Sequence, residues 1–397
     1  MDPVGEDLFW KSGAQLADGR EIIYYDEAPG LGRASVPDQR PLAGRAGPGL
    51  AGSDPAGESG LRWDALAGEW VVIAAQRQDR TFLPPAEECP LDPSREGRLT
   101  EIPAGDYDVV VFENRFPSLR GAGTDLAAAG LPVFGTSPPR PEPGGPLETA
   151  GVPDRPPIGR CEVVCFTSDH NASFASLSPR RVRTVLEAWA DRTAVLQDMQ
   201  GIEQVYCFEN RGKEIGVTLS HPHGQIYGYP FVTPRTERML SQARAHAAAG
   251  RANLFDELHA GEVAAGTRIV SRNEHWTAFV PAATRWPYEV QLFPARRVAS
   301  LPELDEDARA SFCTLYLDVL GRLDALFGVP LPYIAAWYQA PGGDAFARQE
   351  FALHLRVFSI RRAPEKLKYL AGSESGMGVW INDILPEDAA RRLQEAE

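Results

Sequence analysis

The pattern of apolar and polar positions repeats along the chain, and the same order of predicted elements occurs twice. From Glu162 the apolar run EVVCF indicates a buried strand, and apolar residues at helical spacing follow it in PRRVRTVLEAWADRTAVL. From Glu289 the run EVQLF is followed in the same way by ARASFCTLYLDVLGRLDALF. Each copy leads into further apolar strands, VYCFEN and GVTLSHPHGQIYGYP in the first and YIAAWYQAP and FALHLRVFSI in the second. The repeat predicts two duplicated units.

The predicted fold class is α+β, in which each unit is an antiparallel sheet covered on one face by helices. We place the first unit at residues 61–232 and the second at residues 233–397, because 397 residues suffice for two such cores. Residues 1–60 are rich in Gly, Ala, Pro and Arg apart from the strand-like EIIYYD, and they predict a flexible lead-in. A segment dense in Pro and Gly near residues 120–158 predicts an insertion loop.

The segment LSHPHGQIYGYP, residues 219–230, combines an apolar neighbourhood with a row of polar side chains. Alternate residues of an extended segment point to the same side, so His221, His223, Gln225 and Tyr227 are expected to share one face. Two interpretations remain open. The pair of histidines is either a metal-and-nucleophile site or part of an edge strand whose imidazoles are satisfied by hydrogen bonds.

The second unit provides an internal comparison for this segment. Where the first unit has His221-Pro222-His223, the second has His354-Leu355-Arg356. A purely structural role predicts similar drift in both copies. The difference between the copies therefore favours a functional role for the two histidines of the first unit.

Composition limits the classes of partner. The chain has 40 basic and 54 acidic residues, a formal net charge of -14, which disfavours binding to nucleic acid or to an anionic membrane surface. Any phosphate must then be held by a local arginine cluster. The five cysteines are odd in number and scattered, and we infer a reducing cytoplasm with no signal peptide. No apolar run approaches the ~20 residues of a membrane-spanning helix.

A second group of residues has the chemistry of a zinc site. Cys89 and Asp92 are three residues apart in EECPLDPS, and His170 and His221 complete a set of four candidate ligands. Four protein ligands make a closed, structural Zn²⁺ site, which would brace the histidine segment without activating water. The alternative is that Cys89 is an ordinary buried thiol and Asp92 caps a turn.

This assignment leaves His223 free for chemistry. An imidazole held in one tautomer by a backbone acceptor can attack phosphorus with its other nitrogen and form a covalent phosphoramidate. Gln225, on the same face, is placed to donate to the developing phosphoryl charge. Candidate contacts for the remaining phosphate and the base lie at strand ends: Arg77, Arg80, Asn114, Phe116, Asn210 and Arg211.

Seven segments carry a resemblance to a known family: GEWVVIAAQRQDR, CPLDP, VVVFENRFPSL, VVCFTSDH, FENRGKEIGVTLSHPHGQIYGYPF, FALHLRVFSIRR and KLKYLAGSESGMGVWIND. They run in order from about residue 61 to 395, and in them the chain resembles galactose-1-phosphate uridylyltransferases of the histidine-triad superfamily. The resemblance implies two fused histidine-triad-like halves and a homodimer with active sites near the subunit interface. It also implies ping-pong transfer of UMP from UDP-glucose, a nucleotide sugar, to galactose 1-phosphate, a sugar 1-phosphate.

The resemblance assigns a role to each matching residue. His223 is the expected nucleophile and Gln225 its phosphate-binding partner. The expected nucleotide and phosphate contacts are Arg77, Arg80, Asn114, Phe116, Asn210, Gly216 and Thr218, the last at a position where the family commonly has a serine. Lys368 and Glu374 lie in the tail that reaches nucleotide and sugar in such enzymes.

The sequence departs from the family pattern at both metal sites. Asp92 stands where the family usually has a second cysteine, so zinc is expected to bind more weakly or to be absent. Of the histidines of a second, structural metal site only His354 remains, with Tyr338 and Arg356 at the other expected positions, and we predict that this site is lost. Because Tyr338 and Arg356 depart from the family pattern, a substrate with a different sugar phosphate or nucleotide remains an alternative.

Three alternatives to uridylyl transfer follow. One is a related nucleotidylyltransferase or phosphorylase that acts on another nucleotide or sugar phosphate, such as an ADP-sugar or a dinucleoside polyphosphate. Another is a non-catalytic nucleotide-binding homologue, which the intact HPHGQ disfavours. The last is metal-dependent hydrolysis at an open zinc site, which requires a three-ligand metal.

Overall fold

The computed structural model describes residues 9–41, 59–79, 83–122 and 156–396. The predicted contact Arg80 and most of the predicted insertion loop near residues 120–158 lie outside these ranges. Within them, no helix has the length and apolar character that crossing a membrane requires.

Sixteen strands and seven helices are present in the described residues. The first nine strands are β1 (Trp10–Gln15), β2 (Glu21–Asp26), β3 (Ser59–Asp64), β4 (Glu69–Ala74), β5 (Val109–Glu113), β6 (Arg120–Gly121), β7 (Ile158–Cys165), β8 (Gln204–Arg211) and β9 (His223–Tyr229). The other seven are β10 (Ile269–Arg272), β11 (Trp276–Phe279), β12 (Tyr288–Pro294), β13 (Tyr333–Tyr338), β14 (His354–Ser359), β15 (Arg361–Ala363) and β16 (Lys366–Leu367). The helices are α1 (Pro179–Gln197), α2 (Pro234–Ala248), α3 (Leu254–Ala265), α4 (Glu306–Ala325), α5 (Ala345–Glu350), α6 (Gly372–Met377) and α7 (Pro386–Glu395).

Twelve of the described strands form one sheet, in the order β1-β2-β5-β7-β9-β8-β13-β14-β12-β11-β10, with β6 paired in parallel to β7. The order β5-β7-β9-β8 of the N-terminal half returns as β11-β12-β14-β13 in the C-terminal half. The two halves meet where β8 and β13 pair antiparallel. The predicted α+β fold of two fused histidine-triad-like units is confirmed.

Helices α1 and α4 occupy equivalent places in the two halves and share one core on the same face of the sheet. Each begins at a side-chain cap, because the hydroxyl of Ser178 accepts from Arg181 N at 3.1 Å and the carboxylate of Asp305 accepts from Ala308 N at 2.9 Å. The opposite face is covered in part by α2, α3 and α5. The site described below lies on that second face.

Part of the segment before residue 61 differs from its prediction, because β1 and β2 belong to the large sheet. β2 pairs with β5, and all but the first of its six side chains are buried. Ile23 and Tyr25 pack on the α1 side, whereas Ile22 and Tyr24 pack on the other side. The strands β1 and β2 are therefore part of the N-terminal sheet, and the prediction of a flexible lead-in is wrong for them. The Gly- and Pro-rich composition around one short apolar run concealed this pairing.

Candidate active site

Strand β9 starts at His223 and presents alternate side chains to two environments. Gly224 faces the α1 side, where a side chain would clash, since a Cβ there would lie 2.9 Å from both the Phe166 ring and Phe208 O. His223 and Gln225 point to the other face and remain partly exposed. The glycine thus lets β9 lie close to β8 while the polar residues face the open side.

The histidine that starts β9 has its tautomer fixed by the backbone. Nδ1 of His223 lies 2.7 Å from the carbonyl oxygen of His221, so Nδ1 carries the proton and donates it. Burial lowers the pKa of His223, which favours the neutral ring. No described residue hydrogen-bonds to Nε2, so its lone pair is available to attack an electrophile.

A cleft beside β9 brings together six of the predicted site residues. They are Arg77, Asn114, Phe116, Thr218, His223 and Gln225. Glu101 and Arg115 also line this cleft and were missed by the sequence analysis. Arg115 sits inside the FENRFP segment that supplied its two neighbours, so the signal was available. Glu101 carries no such signal, because its place follows from a chain of arginine contacts that the sequence does not reveal.

The polar groups of this cleft are arranged around Gln225. Its Oε1 accepts from the Tyr227 hydroxyl at 3.1 Å, which leaves the amide N–H groups to donate into the cleft. Arg77 donates to Phe116 O at 3.1 Å and to the Tyr227 hydroxyl at 3.4 Å. These contacts hold a guanidinium and an amide donor near His223, as binding of a phosphate requires.

A second cleft adjoins His223 and holds another predicted residue. It is lined by Asn210 together with Arg211, Lys213 and His221. Gly216 lines neither cleft. It ends a short 3-10 turn with a φ of 81°, a left-handed conformation that favours glycine, and so shapes the loop before Thr218.

Lys368 and Glu374 do not line either cleft of their own chain. They bind each other, with 2.7 Å between Lys368 Nζ and Glu374 Oε1, and both side chains are more than nine-tenths buried. The structure therefore does not bring these two predicted residues to His223.

The four predicted zinc ligands do come together. One ligand atom from each of Cys89, Asp92, His170 and His221 lies within 4.8 Å of the other three. Asp92 Oδ1 is 3.0 Å from His170 Nδ1 and 3.1 Å from His221 Nδ1. This donor set of thiol, carboxylate and two imidazoles fits a tetrahedral ion.

Neighbouring groups orient these ligands. His221 Nε2 is 2.8 Å from Thr167 O, so Nε2–H donates there and Nδ1 faces the cluster. Burial lowers the pKa of His221 to about 4 and raises the pKa of the Cys89 thiol to about 11. A cation at this point would displace the thiol proton and find a neutral imidazole.

An arginine outside the four ligands completes the cluster. Arg98 donates to Asp92 Oδ2 at 3.2 Å and to Cys89 O at 2.6 Å, so it joins both ends of the Cys89–Asp92 turn. Burial acts to raise the pKa of Asp92, but its contacts with His170 and His221 outweigh burial and hold that pKa below its ordinary value. The carboxylate is thus present as an anion in the cluster.

The C-terminal half repeats the backbone contact of His223 at a different position from the one predicted. His354 Nδ1 lies 2.8 Å from Ala352 O, as His223 Nδ1 does from the carbonyl two residues before it. This contact matches His354 with His223, and consequently Arg356 with Gln225. The sequence comparison had paired His354 with His221, because it aligned the spacing of polar residues and not the contacts.

The fold and this site define the class of protein: two fused histidine-triad-like units, the first of which carries a histidine with a free nitrogen beside a cleft that contains an arginine. The chain belongs to the galactose-1-phosphate uridyl transferase family. Residues 53–233 match the model of the N-terminal domain of galactose-1-phosphate uridyl transferase, and residues 239–397 match the model of its C-terminal domain.

Individual proteins agree with this assignment. The chain is 45% identical over 400 residues to galactose-1-phosphate uridylyltransferase of Streptomyces lividans, with 97% of each chain covered. It is 34% identical over 337 residues to the Thermotoga maritima protein of the same name, covering 85% of this chain and 98% of that one. A solved structure of a uridylyltransferase superposes with a TM-score of 0.70 at 28% identity, covering 85% of this chain and 98% of that chain.

A more distant structure shares the fold. An ADP-glucose phosphorylase from Arabidopsis thaliana, solved with ADP-glucose, superposes with a TM-score of 0.62 at 20% identity, covering 85% of this chain and 99% of that one.

Proposed function

We propose that this enzyme of the galactose-1-phosphate uridyl transferase family moves UMP from UDP-glucose to galactose 1-phosphate through a covalent uridylyl-His223. The observation that carries the proposal is the state of His223. Its Nδ1–H is committed to a backbone carbonyl, and its Nε2 faces a cleft that also holds Gln225 and Arg77. The names of the two relatives support the choice of uridylyl group and of galactose 1-phosphate.

The chemistry divides into two displacements. His223 Nε2 attacks the α-phosphorus of UDP-glucose, a P–N bond forms, and the P–O bond to glucose 1-phosphate breaks. A phosphate oxygen of galactose 1-phosphate then attacks the same phosphorus and releases the imidazole. In both steps the Gln225 amide and the Arg77 guanidinium stabilise the added negative charge, and His221 O holds the ring in position.

The test is intact-protein mass spectrometry after incubation with UDP-glucose, UDP-galactose, ADP-glucose or a GDP-sugar, one at a time. A UMP adduct from the UDP-sugars alone is expected. Addition of galactose 1-phosphate should remove the adduct and yield UDP-galactose. An adduct from ADP-glucose alone would instead favour a nucleotidylyltransferase or phosphorylase of another specificity, and no adduct from any donor would favour a non-catalytic homologue.

We propose that the four-residue cluster binds one structural Zn²⁺. Cys89, Asp92, His170 and His221 would hold it, and the closed ligand set would brace the segment before His223 without activating water. The contact of Arg98 with Asp92 supports this proposal, because the guanidinium holds the carboxylate in one orientation.

Replacing the carboxylate ligand should remove the metal. We expect Asp92→Ala to lower bound zinc, measured by plasma mass spectrometry, from about one ion per chain to a small fraction and to lower the thermal midpoint. Asp92→Cys should keep zinc, since a thiolate matches the ion at least as well. The matched control is Asp388→Ala on α7, where the side chain is 52% exposed. A zinc-free wild type with an unchanged midpoint in chelator would contradict the proposal.

We also propose that the protein is a homodimer of the reducing cytoplasm. All five cysteines are buried free thiols, which supports that compartment. Exposed apolar side chains concentrate in residues 369–385, which also contain Glu374. Six of the fourteen exposed large apolar residues in the described chain lie there: Tyr369, Leu370, Met377, Val379, Ile381 and Leu385. Such a concentration is typical of an interface, and it would let the tail reach the partner's cleft.

Charges in this segment should separate the subunits. Met377 is 80% exposed and Ile381 is 55% exposed, so the double variant Met377→Asp/Ile381→Asp should fold and run as a monomer in light scattering coupled to size exclusion. Leu66→Asp is the matched control, because Leu66 is fully exposed on the β3–β4 turn. If the wild type, the double variant and Leu66→Asp all run as dimers, this surface is not the dimer interface.

A further inference from the structure

The C-terminal half contains an arginine at the place that Gln225 occupies in the N-terminal half. Strand register puts Gln225, Phe208, Ala336 and Arg356 in one row across β9, β8, β13 and β14. Three strand spacings separate the ends of this row, which is roughly 14 Å. Arg356 is therefore on the same face as the candidate active site but outside it, and it lines neither cleft.

The guanidinium of Arg356 has only neutral partners. Its Nε donates to His354 Nε2 at 3.1 Å, its Nη2 lies 3.5 Å from the Met239 sulfur, and its Cζ lies 4.6 Å from the centre of the Tyr338 ring. In the ranges that the structure describes, no carboxylate forms a salt bridge with it. The Glu289 carboxylate is close enough to act on its pKa but accepts from Arg285 N instead, at 2.9 Å.

Two further arginines converge on the same place. Arg235 lies one helical turn before Met239 on α2, so it is on the side of the helix that contacts Arg356. Arg285 precedes Trp286, whose ring stacks at 4.9 Å on Phe358, two residues along β14 from Arg356. Neither arginine has a salt-bridge partner among the described residues.

The three charges repel one another. Burial lowers the pKa of Arg285, and the charges of Arg235 and Arg356 lower it further. Burial also lowers the pKa of Arg356, and the positive charge of Arg235 lowers it further. Three half-buried guanidiniums beside one buried carboxylate, that of Glu289, leave a net positive charge that an anion from solution would offset.

We propose that Arg235, Arg285 and Arg356 form a second anion site, which binds the dianion of a phosphate, either free or as a phosphomonoester. The three side chains come from α2, the segment before β12, and β14, and guanidiniums are the donors that phosphate recognition favours. The site binds but does not transfer, because the Nε2 of His354 accepts from Arg356 and has no free lone pair. It does not depend on the uridylyl acceptor or donor proposed for the first half.

Thermal unfolding in phosphate and in chloride at equal ionic strength tests the site. We expect inorganic phosphate to raise the midpoint of the wild type by at least ~2 °C over chloride. Arg285→Gln should not show this extra rise of the midpoint in phosphate over chloride. In chloride alone, its midpoint should equal or exceed that of the wild type, because the repulsion between the arginines is reduced. Glucose 1-phosphate in place of inorganic phosphate shows whether the site takes free phosphate or a monoester.

Two further variants separate this site from the catalytic cleft. Arg238→Gln, an exposed position on the same helix, should keep the full phosphate response. Arg77→Gln removes a cleft arginine and should keep the response that Arg285→Gln loses. Arg235→Gln serves as a second variant of the site if Arg285→Gln fails to fold. Equal phosphate responses in wild type and Arg285→Gln, or a wild-type response no larger than that to chloride, would overturn the proposal.

Discussion

His223→Asn should abolish the uridylyl adduct and lower the rate of transfer by a factor on the order of 10⁴ to 10⁶, the loss typical of removing a covalent nucleophile. The reason is geometric, since no other described side chain in the cleft offers a free imidazole nitrogen. Asparagine keeps a donor for His221 O, so the strand and its neighbours should stay in place. The measurement is intact-protein mass after incubation with UDP-glucose, together with the rate of UDP-galactose formation.

The control for this variant is another of the seven histidines. His275 lies between β10 and β11 and lines neither cleft, so His275→Asn should form the uridylyl adduct as the wild type does. Thermal midpoints of both variants should be close to that of the wild type. If His223→Asn still forms the full adduct, the nucleophile is another residue and the proposed mechanism is wrong.

The pH dependence of labelling follows from the same residue. Only the neutral ring of His223 is nucleophilic, and burial lowers its pKa below the ordinary 6.5. Protonation therefore stops the reaction only at a lower pH than for a free imidazole. The rate of adduct formation should show an acid limb with a midpoint below 6.5, measured by rapid quench, and a midpoint above 6.5 would contradict a lowered pKa of His223.

The candidate site could be predicted where one short segment supplies both the residue types and their spacing. Alternation along β9 placed His223 and Gln225 on one face, and the spacing of Cys89 and Asp92 suggested a shared metal. The sequence did not reveal the contacts between distant segments. Arg98 donates to Asp92 and to Cys89, six and nine residues before it, and no sequence pattern marks these two contacts.

The register of the repeat shows the same limit. The polar pair His354 and Arg356 resembles the pair His221 and His223 in spacing, and spacing alone aligned them. The backbone contact at His354 shows instead that His354 corresponds to His223, and that a cation, Arg356, stands at the position of Gln225. In the first half the imidazole Nε2 of His223 has no hydrogen-bond donor among the described residues. In the second half the Nε2 of His354 accepts a hydrogen bond from the Arg356 guanidinium.

The largest effect on stability is expected at Arg192→Met on α1. Arg192 binds Glu162 of β7 through two hydrogen bonds, from Nε at 2.9 Å and Nη2 at 2.7 Å, and both side chains are at least 98% buried. Burial acts to raise the pKa of Glu162, but the charge of Arg192 outweighs it and holds that pKa low. Methionine fills the space but leaves a buried carboxylate with Arg160 as its remaining partner, which should cost about 3 kcal/mol.

The matched control applies the same substitution to a surface pair. Arg296 binds Asp305 at 3.0 Å with the two side chains 61% and 49% exposed, so Arg296→Met should cost less than ~1 kcal/mol. Urea unfolding of both variants gives the comparison. Because Glu162 pairs with Ile226 of β9, Arg192→Met should also loosen the strand that begins at His223 and slow labelling in the folded fraction. Equal costs at the two sites would mean that the buried pair does not hold α1 to the sheet.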